Sequence, residues 1–407
     1  MKVGLLLAAW TVVSIAARTG EAQTWKFAGA MDVTRIHGEG IFHHLESSGR
    51  RNIALSGSTV AIAWEDNRDG TPRIYLARKH IDAPSFDTAV RISGDAEAFE
   101  PSLLALGNDR YAVAWEEDGF VHVRLIDGHR IGPSIRSSEG QAAQVNLSTH
   151  GNRLYMLRSQ LTDRFSHIRL RVTHLADDLS VVTDADCAVD PTTPQSDQLY
   201  PASVAAGDEL IVVWEDRRSG RTILLASASR LDRPCDFEPP ARVSQALPEI
   251  QSDYGKGHGV ARVALGRFAA SGVLAAWADK RSYWEGYDIY AATYAGNGRF
   301  SSNTKVQDEF GDFARQWHAS VAANANGRVV VAWDDEREGN SDIFLSWLEG
   351  SEWSGDLPLP NASGTGHQSH PSIVMDADGS LHVAWIERAE VNGPTRLRYQ
   401  LGQITQD

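Results

Sequence analysis

The segment Val331-Ala332-Trp333-Asp334-Asp335-Glu336-Arg337 is one copy of a phrase that recurs along the whole chain. A short apolar run ends in tryptophan, an acidic pair follows, and a basic residue closes the phrase. The other copies occupy residues 63–68, 114–117, 213–218, 276–281 and 384–388. The interval between Trp115 and Trp214 is about twice the others, and Leu157 stands near its middle in the place of a tryptophan. The sequence therefore contains seven copies.

Each copy predicts four β-strands. A small-residue strand with a Gly-containing turn precedes the tryptophan strand, as in residues 370–379, and a strand such as Asp342-Ile343-Phe344-Leu345 follows it. Four-stranded units repeated at this length are typical of a β-propeller, in which each sheet buries its faces against its neighbours. We predict an all-β chain forming a single propeller over residues 23–407, with seven blades and six as the alternative. Part of the N-terminal segment 25–48 is expected to complete the last blade and close the ring.

The composition excludes several classes of protein. Of 407 residues, 42% are hydrophobic and 23% charged, which excludes a disordered chain. The formal net charge is −14, and a surface this acidic repels phosphate backbones. We therefore predict no nucleic-acid partner.

Residues 1–22 have the pattern of a cleavable signal peptide. Lys2 precedes an apolar run that is too short for a comfortable membrane span, and Gly20-Glu21-Ala22 offers a cleavage site before Gln23. This predicts a periplasmic or extracellular protein with no membrane span. In an oxidising compartment Cys187 and Cys235 are expected to pair, with two buried free thiols as the alternative.

The repeated A-W-x-D-x-R phrase with its following D-I-Y-x-A strand resembles the repeats of secreted bacterial sialidase-like propellers of the BNR type. The resemblance covers roughly residues 50–400 and implies the propeller fold and a carbohydrate-related activity. The chain carries no intact Asp-box, S-x-D-x-G-x-T-W, and the sialidase catalytic set is not recognisable. Val33-Thr34-Arg35-Ile36 is similar to the F-R-I-P strand of sialidases but lacks its proline.

Residues that begin the innermost strands are expected to line the mouth of the central channel. By repeat alignment these are Glu100, Tyr200, His318 and His370, with His258 and Gln144 close to the same position. Histidine, tyrosine and glutamate can perform acid–base chemistry, so these four are catalytic candidates; hydrogen bonding to a neighbouring blade is the alternative. No cofactor is predicted, although a metal ion at the mouth or on the His37–His44 segment is possible; no recognised ligand spacing supports it, and no metal ligand is assigned.

One loop breaks the repeat with aromatic residues that could stack on sugar rings. Tyr283, Trp284 and Tyr287 lie in it, and Trp317 stands near the mouth; with His258 these are the candidate ligand-binding residues. Glu285 in the same loop is a further catalytic candidate, and a carboxyl pair of Glu100 with Glu285 or Asp279 is the hypothesis for hydrolysis. The repeated Asp and Arg residues after each tryptophan are interpreted as structural turn contacts, because they occur four times.

Three functions stay open from the sequence. The first is a secreted platform that binds a glycan or an envelope or extracellular protein at the channel mouth. The second is a carbohydrate-active enzyme, either a glycoside hydrolase of exo-α-sialidase type or a polysaccharide lyase. The third is a scaffold in an envelope assembly.

Overall fold

The computed structural model describes residues 23–46, 49–176, 178–245, 259–281 and 286–406. Within these ranges, antiparallel sheets of the four-strand pattern follow one another along the chain and form a seven-blade β-propeller, as the repeat count predicts. Several outermost strands are split in two, and one 3-10 turn, Glu309–Gly311, precedes blade 6.

The blades are numbered here in chain order, and their strands run from the channel outward. Blade 1 contains His43–His44, Ile53–Ser56, Thr59–Asp66, Arg73–His80 and Val90–Arg91; blade 2 contains Ala98–Gly107, Arg110–Glu117, Phe120–Asp127, Arg130–Ile131 and Ile135–Arg136. Blade 3 contains Ala142–His150, Arg153–Thr162, Phe165–Leu175 and Val181–Ala188; blade 4 contains Gln198–Ala206, Glu209–Asp216, Ile223–Arg230 and Ala241–Arg242. Blade 5 contains Val260–Phe268, Gly272–Asp279, Asp288–Gly296, Arg299–Phe300 and Thr304–Lys305; blade 6 contains Gln316–Ala323, Val329–Asp335, Asp342–Glu349, Glu352–Trp353 and Leu357–Pro358. Blade 7 contains His367–Met375, Leu381–Arg388 and Thr395–Gln406, completed by Gln23–Phe27 and Met31–Asp32.

The hydrophobic core is divided among the interfaces between neighbouring blades. Each cluster of buried apolar residues joins two successive blades, and one cluster joins blade 7 to blade 1. The six repeat tryptophans are fully buried, and Leu157 fills the equivalent place in blade 3 with no exposure. These side chains therefore fill the wedge between sheets, and they cannot contact a ligand.

The ring closes through strand pairing between the two ends of the described chain. Gln23–Phe27 pairs antiparallel with Thr395–Gln406, with Trp25 opposite Ile404. Cys187 at the outer edge of blade 3 is bonded to Cys235 of blade 4, with 5.9 Å between their Cα atoms. The disulfide thus adds a covalent link between two neighbouring blades.

No helix in the described ranges is long and apolar enough to cross a membrane. The predicted signal peptide, residues 1–22, lies outside the described residues, so secretion stays a prediction.

Candidate functional site at the channel mouth

A bulge interrupts the innermost strand of six blades at the same place. In each, the strand register shifts around one residue that adopts a positive φ between 49° and 58° although it is not glycine. A β-bulge redirects the side chain at its extra residue, and non-glycine residues rarely adopt this φ. The six are Glu100, Gln144, Tyr200, Arg262, His318 and His370; we call this ring of bulge residues the mouth. It contains all four catalytic candidates taken from the innermost strands.

In blade 5 the mouth position belongs to Arg262, not to the neighbourhood of His258. His258 lies outside the described residues, and the blade's innermost strand begins only at Val260. The mouth position of blade 5 thus lies four residues after His258 in the sequence.

Blade 1 builds its part of the mouth differently. Its innermost strand is broken between His43–His44 and Ile53–Ser56, and the described residues 45–46 and 49–52 lie outside the sheet. Gly49 in this loop has φ +89°, and a Cβ there would lie 2.5 Å from the Val263 carbonyl oxygen, so only glycine fits. The loop brings the buried side chains of Glu46 and Arg50 into the mouth.

The acidic residue directly after the tryptophan holds the bulge of the next blade. The backbone N–H of Glu100 donates to Glu65 Oε2 at 3.2 Å, that of Gln144 to Glu116 Oε1 at 2.6 Å, and that of Arg262 to Glu215 Oε1 at 2.8 Å. The His370 N–H lies 3.3 Å from Asp334 Oδ1 in the same way. In the degenerate blade 3 the Gln144 amide oxygen takes this role and accepts from the Tyr200 N–H at 2.8 Å. The first acid of the phrase therefore faces the mouth.

On one side of the mouth, charges are paired. Arg50 forms ion pairs with Glu100 and, at 3.2 Å, with Glu116. Arg262 lies flat over the Tyr200 ring, 3.3 Å from its centroid, and its Nε is 3.3 Å from Glu46 Oε1. Glu100 and Tyr200 are therefore engaged by neighbouring arginines.

On the opposite side, histidines meet. His318 and His370 stack with ring centroids 3.8 Å apart, and His44 contacts His370 edge-on at 5.3 Å. His318 Nδ1 lies 2.7 Å from Asp334 Oδ1. This carboxylate fixes the ring and leaves the Nε2 atom of His318 directed away from it, as in a base held by an orienting acid.

Burial gives several mouth residues unusual protonation. It lowers the pKa of His370 well below the ordinary 6.5, and the charges of His318 and His44 lower it further. Burial also raises the pKa of Glu65 and of Glu215 to about 7. Neutral His370 therefore stacks beside His318 without charge repulsion near neutral pH.

The second acid of the phrase has a structural role. In five blades the tryptophan Nε1 donates to this acid at 2.6–3.1 Å, and in four of them an arginine two residues further on binds the same carboxylate. Asp279 is one of these acids and is nearly buried. Asp279 and Glu100 are thus both bound to arginines, and they do not form a free carboxyl pair for hydrolysis.

Blade 7 departs from this pattern. Its basic residue, Arg388, stands three positions after Trp385, whereas the structural arginines stand four positions after theirs. Trp385 Nε1 has no hydrogen-bond partner among the described residues, and Glu387 faces Arg398 at 3.5 Å. Arg388 donates to the Val391 carbonyl at 3.0 Å, and no carboxylate in the described chain pairs with it. This arginine is therefore available for a ligand.

A groove of about 730 Å³ runs over blade 7 from this arginine. Arg388, Arg396 and Arg398 line it together with a single acid, Glu387. The charge of Arg388 is close enough to His370 to help lower the pKa of that imidazole. Arg398 is paired with Asp32 at 2.7 Å and with Glu387, whereas Arg388 has no carboxylate partner among the described residues, so the groove carries a net positive charge at Arg388.

The candidate sugar-stacking residues are described in part. Tyr287 and Trp317 pack with ring centroids 4.0 Å apart, and Trp317 is 6.4 Å from the His318 ring. Tyr283, Trp284 and Glu285 lie outside the described residues. The aromatic pair therefore borders the histidine side of the mouth.

Within the described ranges, no group of three or more histidine, cysteine or acidic side chains has an arrangement that could hold a metal ion. In the His-rich N-terminal segment, His43 Nδ1 contacts the Thr395 hydroxyl at 3.0 Å and His44 lies 3.5 Å from Glu46. These histidines serve contacts between the segment, blade 7 and the mouth.

No protein-family model and no curated protein sequence matches the chain. Solved structures do match it in fold. A protein of unknown function from Dyadobacter fermentans DSM 18053 is 11% identical with a TM-score of 0.54, over 94% of this chain and 99% of that one. A PL25 polysaccharide lyase, an ulvan lyase bound to -[GlcA(1-4)Rha3S]-, is 10% identical with a TM-score of 0.60, over 91% and 95% of the two chains. The polysaccharide lyase Uly1 is 9% identical with a TM-score of 0.55, over 89% and 91%. At these identities the likeness shows the propeller fold.

Proposed function

We propose that the protein is a secreted polysaccharide lyase that binds an acidic polysaccharide along the groove of blade 7 and cleaves it at the mouth. The observation that carries the proposal is Arg388, which no carboxylate of the described chain pairs with and whose charge helps to lower the pKa of His370 in the His318–His370 stack. Guanidinium binds carboxylate through two parallel hydrogen bonds, so Arg388 suits the acid group of a uronic acid. Polysaccharide lyases among the proteins of similar fold support the same substrate class.

The residues can perform a balanced β-elimination. Arg388 binds the uronate carboxylate and stabilises the negative charge that develops when the neighbouring C5–H bond breaks. His318, oriented by Asp334, takes that proton. A double bond forms between C4 and C5, the bond from C4 to the leaving oxygen breaks, and His318 returns the proton to that oxygen.

The residues of the mouth fit a lyase mechanism better than a hydrolase mechanism. A hydrolase needs two free carboxyl groups across the scissile bond, but Glu100 and Asp279 are both bound to arginines. Sialidase-type binding would need a cluster of free arginines, whereas four repeated arginines, Arg68, Arg218, Arg281 and Arg337, bind acids near their own turns.

A binding platform without turnover is the second candidate. The Tyr287–Trp317 pair offers an aromatic surface beside the mouth, which suits a glycan held by stacking. In that case the protein would bind acidic polysaccharide saturably and leave it intact.

The test is incubation of the purified protein with a panel of uronate-containing polysaccharides. The ultraviolet absorbance of the unsaturated uronate reports elimination, and new reducing ends report any cleavage. We expect both signals to rise together and His318→Gln to lower the rate at least about 100-fold, since acid–base catalysis contributes about 10²–10⁴-fold. His150→Gln, an exposed histidine at the end of its strand, is the matched control and should retain full activity.

If new reducing ends appear without the absorbance of an unsaturated product, the protein is a hydrolase and not a lyase. Saturable binding without either signal would favour the platform. Turnover that survives in His318→Gln would contradict the assigned base.

A further inference from the structure

The central channel has a second cavity, at the end opposite the mouth. It measures about 380 Å³ and is lined by the far ends of all seven innermost strands. The loop that breaks blade 1 separates the two ends: Arg50 pairs with acids of the mouth, whereas the next residue, Arg51, lines the lower cavity. The lower cavity is therefore distinct from the proposed catalytic site.

Two arginines and no acid line this cavity. Arg51 reaches across the channel from blade 1 to blade 5, where its Nη2 donates to the Leu265 carbonyl at 2.8 Å. Arg267 lines the same space from blade 5. In the described part of the chain neither arginine forms an ion pair. In contrast, Arg50 and Arg262 at the mouth each have a carboxylate partner.

Among the described residues, no acid offsets these two positive charges within the cavity. The Arg51 side chain is exposed to the cavity, where desolvation by the channel walls together with the charge of Arg267 lowers the pKa of its guanidinium. A bound anion would supply the missing counter-charge through guanidinium hydrogen bonds.

The rest of the wall combines aliphatic and polar groups. Leu55, Leu104, Leu147, Val204 and Met375 contribute to it, with Ser203 and Asn324 among the polar residues. A cavity of a few hundred Å³ that combines aliphatic residues with a few charged groups can hold a small molecule. A ligand with both an acid group and an apolar body can contact the two arginines and the aliphatic residues at the same time.

We propose that the lower cavity binds a small organic anion, whose carboxylate or sulfate group pairs with Arg51 and Arg267 while its hydrocarbon part lies against the aliphatic wall. The site is independent of the mouth, and its ligand is neither substrate nor product of the proposed cleavage.

The test is calorimetric titration of the full protein with sodium hexanoate, acetate and sulfate, with ionic strength held constant by sodium chloride. We expect saturable binding with one site per chain, and hexanoate binding at least about tenfold more tightly than acetate or sulfate because it alone fills the apolar wall. Arg51→Gln should weaken hexanoate binding at least about tenfold. The exposed Arg233→Gln is the matched control and should leave it unchanged.

Because Arg51 also bonds to the blade 5 backbone, Arg267→Gln serves as a second variant whose side chain is exposed and makes no such contact. It too should weaken binding. His318→Gln should leave hexanoate binding intact, which separates this site from the mouth. Absence of saturable binding, equal affinity for sulfate and hexanoate, or unchanged affinity in both arginine variants would each overturn the proposal.

Discussion

Replacing one arginine at a time by glutamine should separate the structural arginines of the repeat from the ligand-binding one. Arg337 is a structural member: its Nη2 lies 2.7 Å from Asp335 Oδ2 and 2.6 Å from Asp356 Oδ2, and both acids are almost wholly buried. Arg337→Gln leaves two buried carboxylates without a cation. Breaking a buried ion pair by removing one partner costs about 3–5 kcal/mol, so we expect a loss of that order in the free energy of unfolding.

Arg388→Gln should have the opposite profile. Arg388 is only half-buried and makes one hydrogen bond, to the Val391 carbonyl, so the loss of stability should not exceed about 1 kcal/mol. Loss of a group that stabilises developing charge typically costs about 10²–10³-fold in kcat, and we expect a loss of that size in uronate elimination. Arg337→Gln, assayed at a temperature where it is folded, should retain activity close to that of the wild-type protein.

Urea denaturation followed by tryptophan fluorescence measures the first quantity, and the absorbance of the unsaturated product measures the second. The reasoning fails if both variants lose equal stability, because Arg388 would then be a structural arginine like the others. It also fails if Arg388→Gln keeps full activity while Arg337→Gln loses it.

Three further predictions use other parts of the molecule. The Cys187–Cys235 disulfide closes a loop with a sequence separation of 48, so Cys187→Ser with Cys235→Ser should lower the free energy of unfolding by about 4 kcal/mol; a reductant should shift the wild-type urea midpoint similarly and leave the variant unchanged. The pKa of Glu215 is about 7 in the folded protein against an ordinary 4.5. The folded state therefore binds a proton on Glu215 more tightly than the unfolded state does, and the free energy of unfolding falls as pH rises from about 4.5 to about 7. Glu215→Gln should therefore be more stable than the wild type in urea titrations at about pH 8, and the difference should disappear near pH 4.5. Trp317→Ala should weaken acidic-glycan binding at least about tenfold in calorimetry, about 1.4 kcal/mol, because it removes one face of the Tyr287–Trp317 pair; an unchanged affinity would exclude stacking there.

The fold could be predicted from the sequence because tryptophan marks six of the seven repeats and the spacing locates the seventh. Six tryptophans and Leu157 occupy equivalent buried places, and each requires the same strand order around it. The structural role of the second acid of the phrase could also be predicted, because this acid recurs with an arginine at a fixed spacing. Its partner, the tryptophan Nε1, could not be read from the sequence, because the contact depends on how the strand end curves.

The mouth was only partly predictable. Glu100, Tyr200, His318 and His370 could be aligned because each directly precedes a proline or alanine at the start of an inner strand. Glu46 and Arg50 were missed because a broken strand gives no signal when its two halves are short and polar residues separate them. Glu65, Glu116, Glu215 and Asp334 were visible only as part of the repeat. Their contact to the next blade depends on a bulge, which shifts the register without changing the residue pattern.

Repetition itself indicates which residues are free to act. A buried polar group that recurs in the repeat needs a hydrogen-bond partner in each blade. That partner recurs in the same repeat, so neither group is left to bind a ligand. When the arginine stands one residue earlier, its side chain can no longer reach the carboxylate of the repeat, although the strands around it keep their register. In blade 7 the arginine stands one position earlier and has no carboxylate partner among the described residues; Glu387 keeps the usual position of the acid but faces Arg398, and Trp385 remains fully buried with no hydrogen-bond partner for its Nε1. Losing a buried hydrogen bond costs about 1–3 kcal/mol. Blade 7 carries this cost next to the histidine side of the mouth. We therefore expect a ligand to bind there and to supply the negative charge that Arg388 lacks.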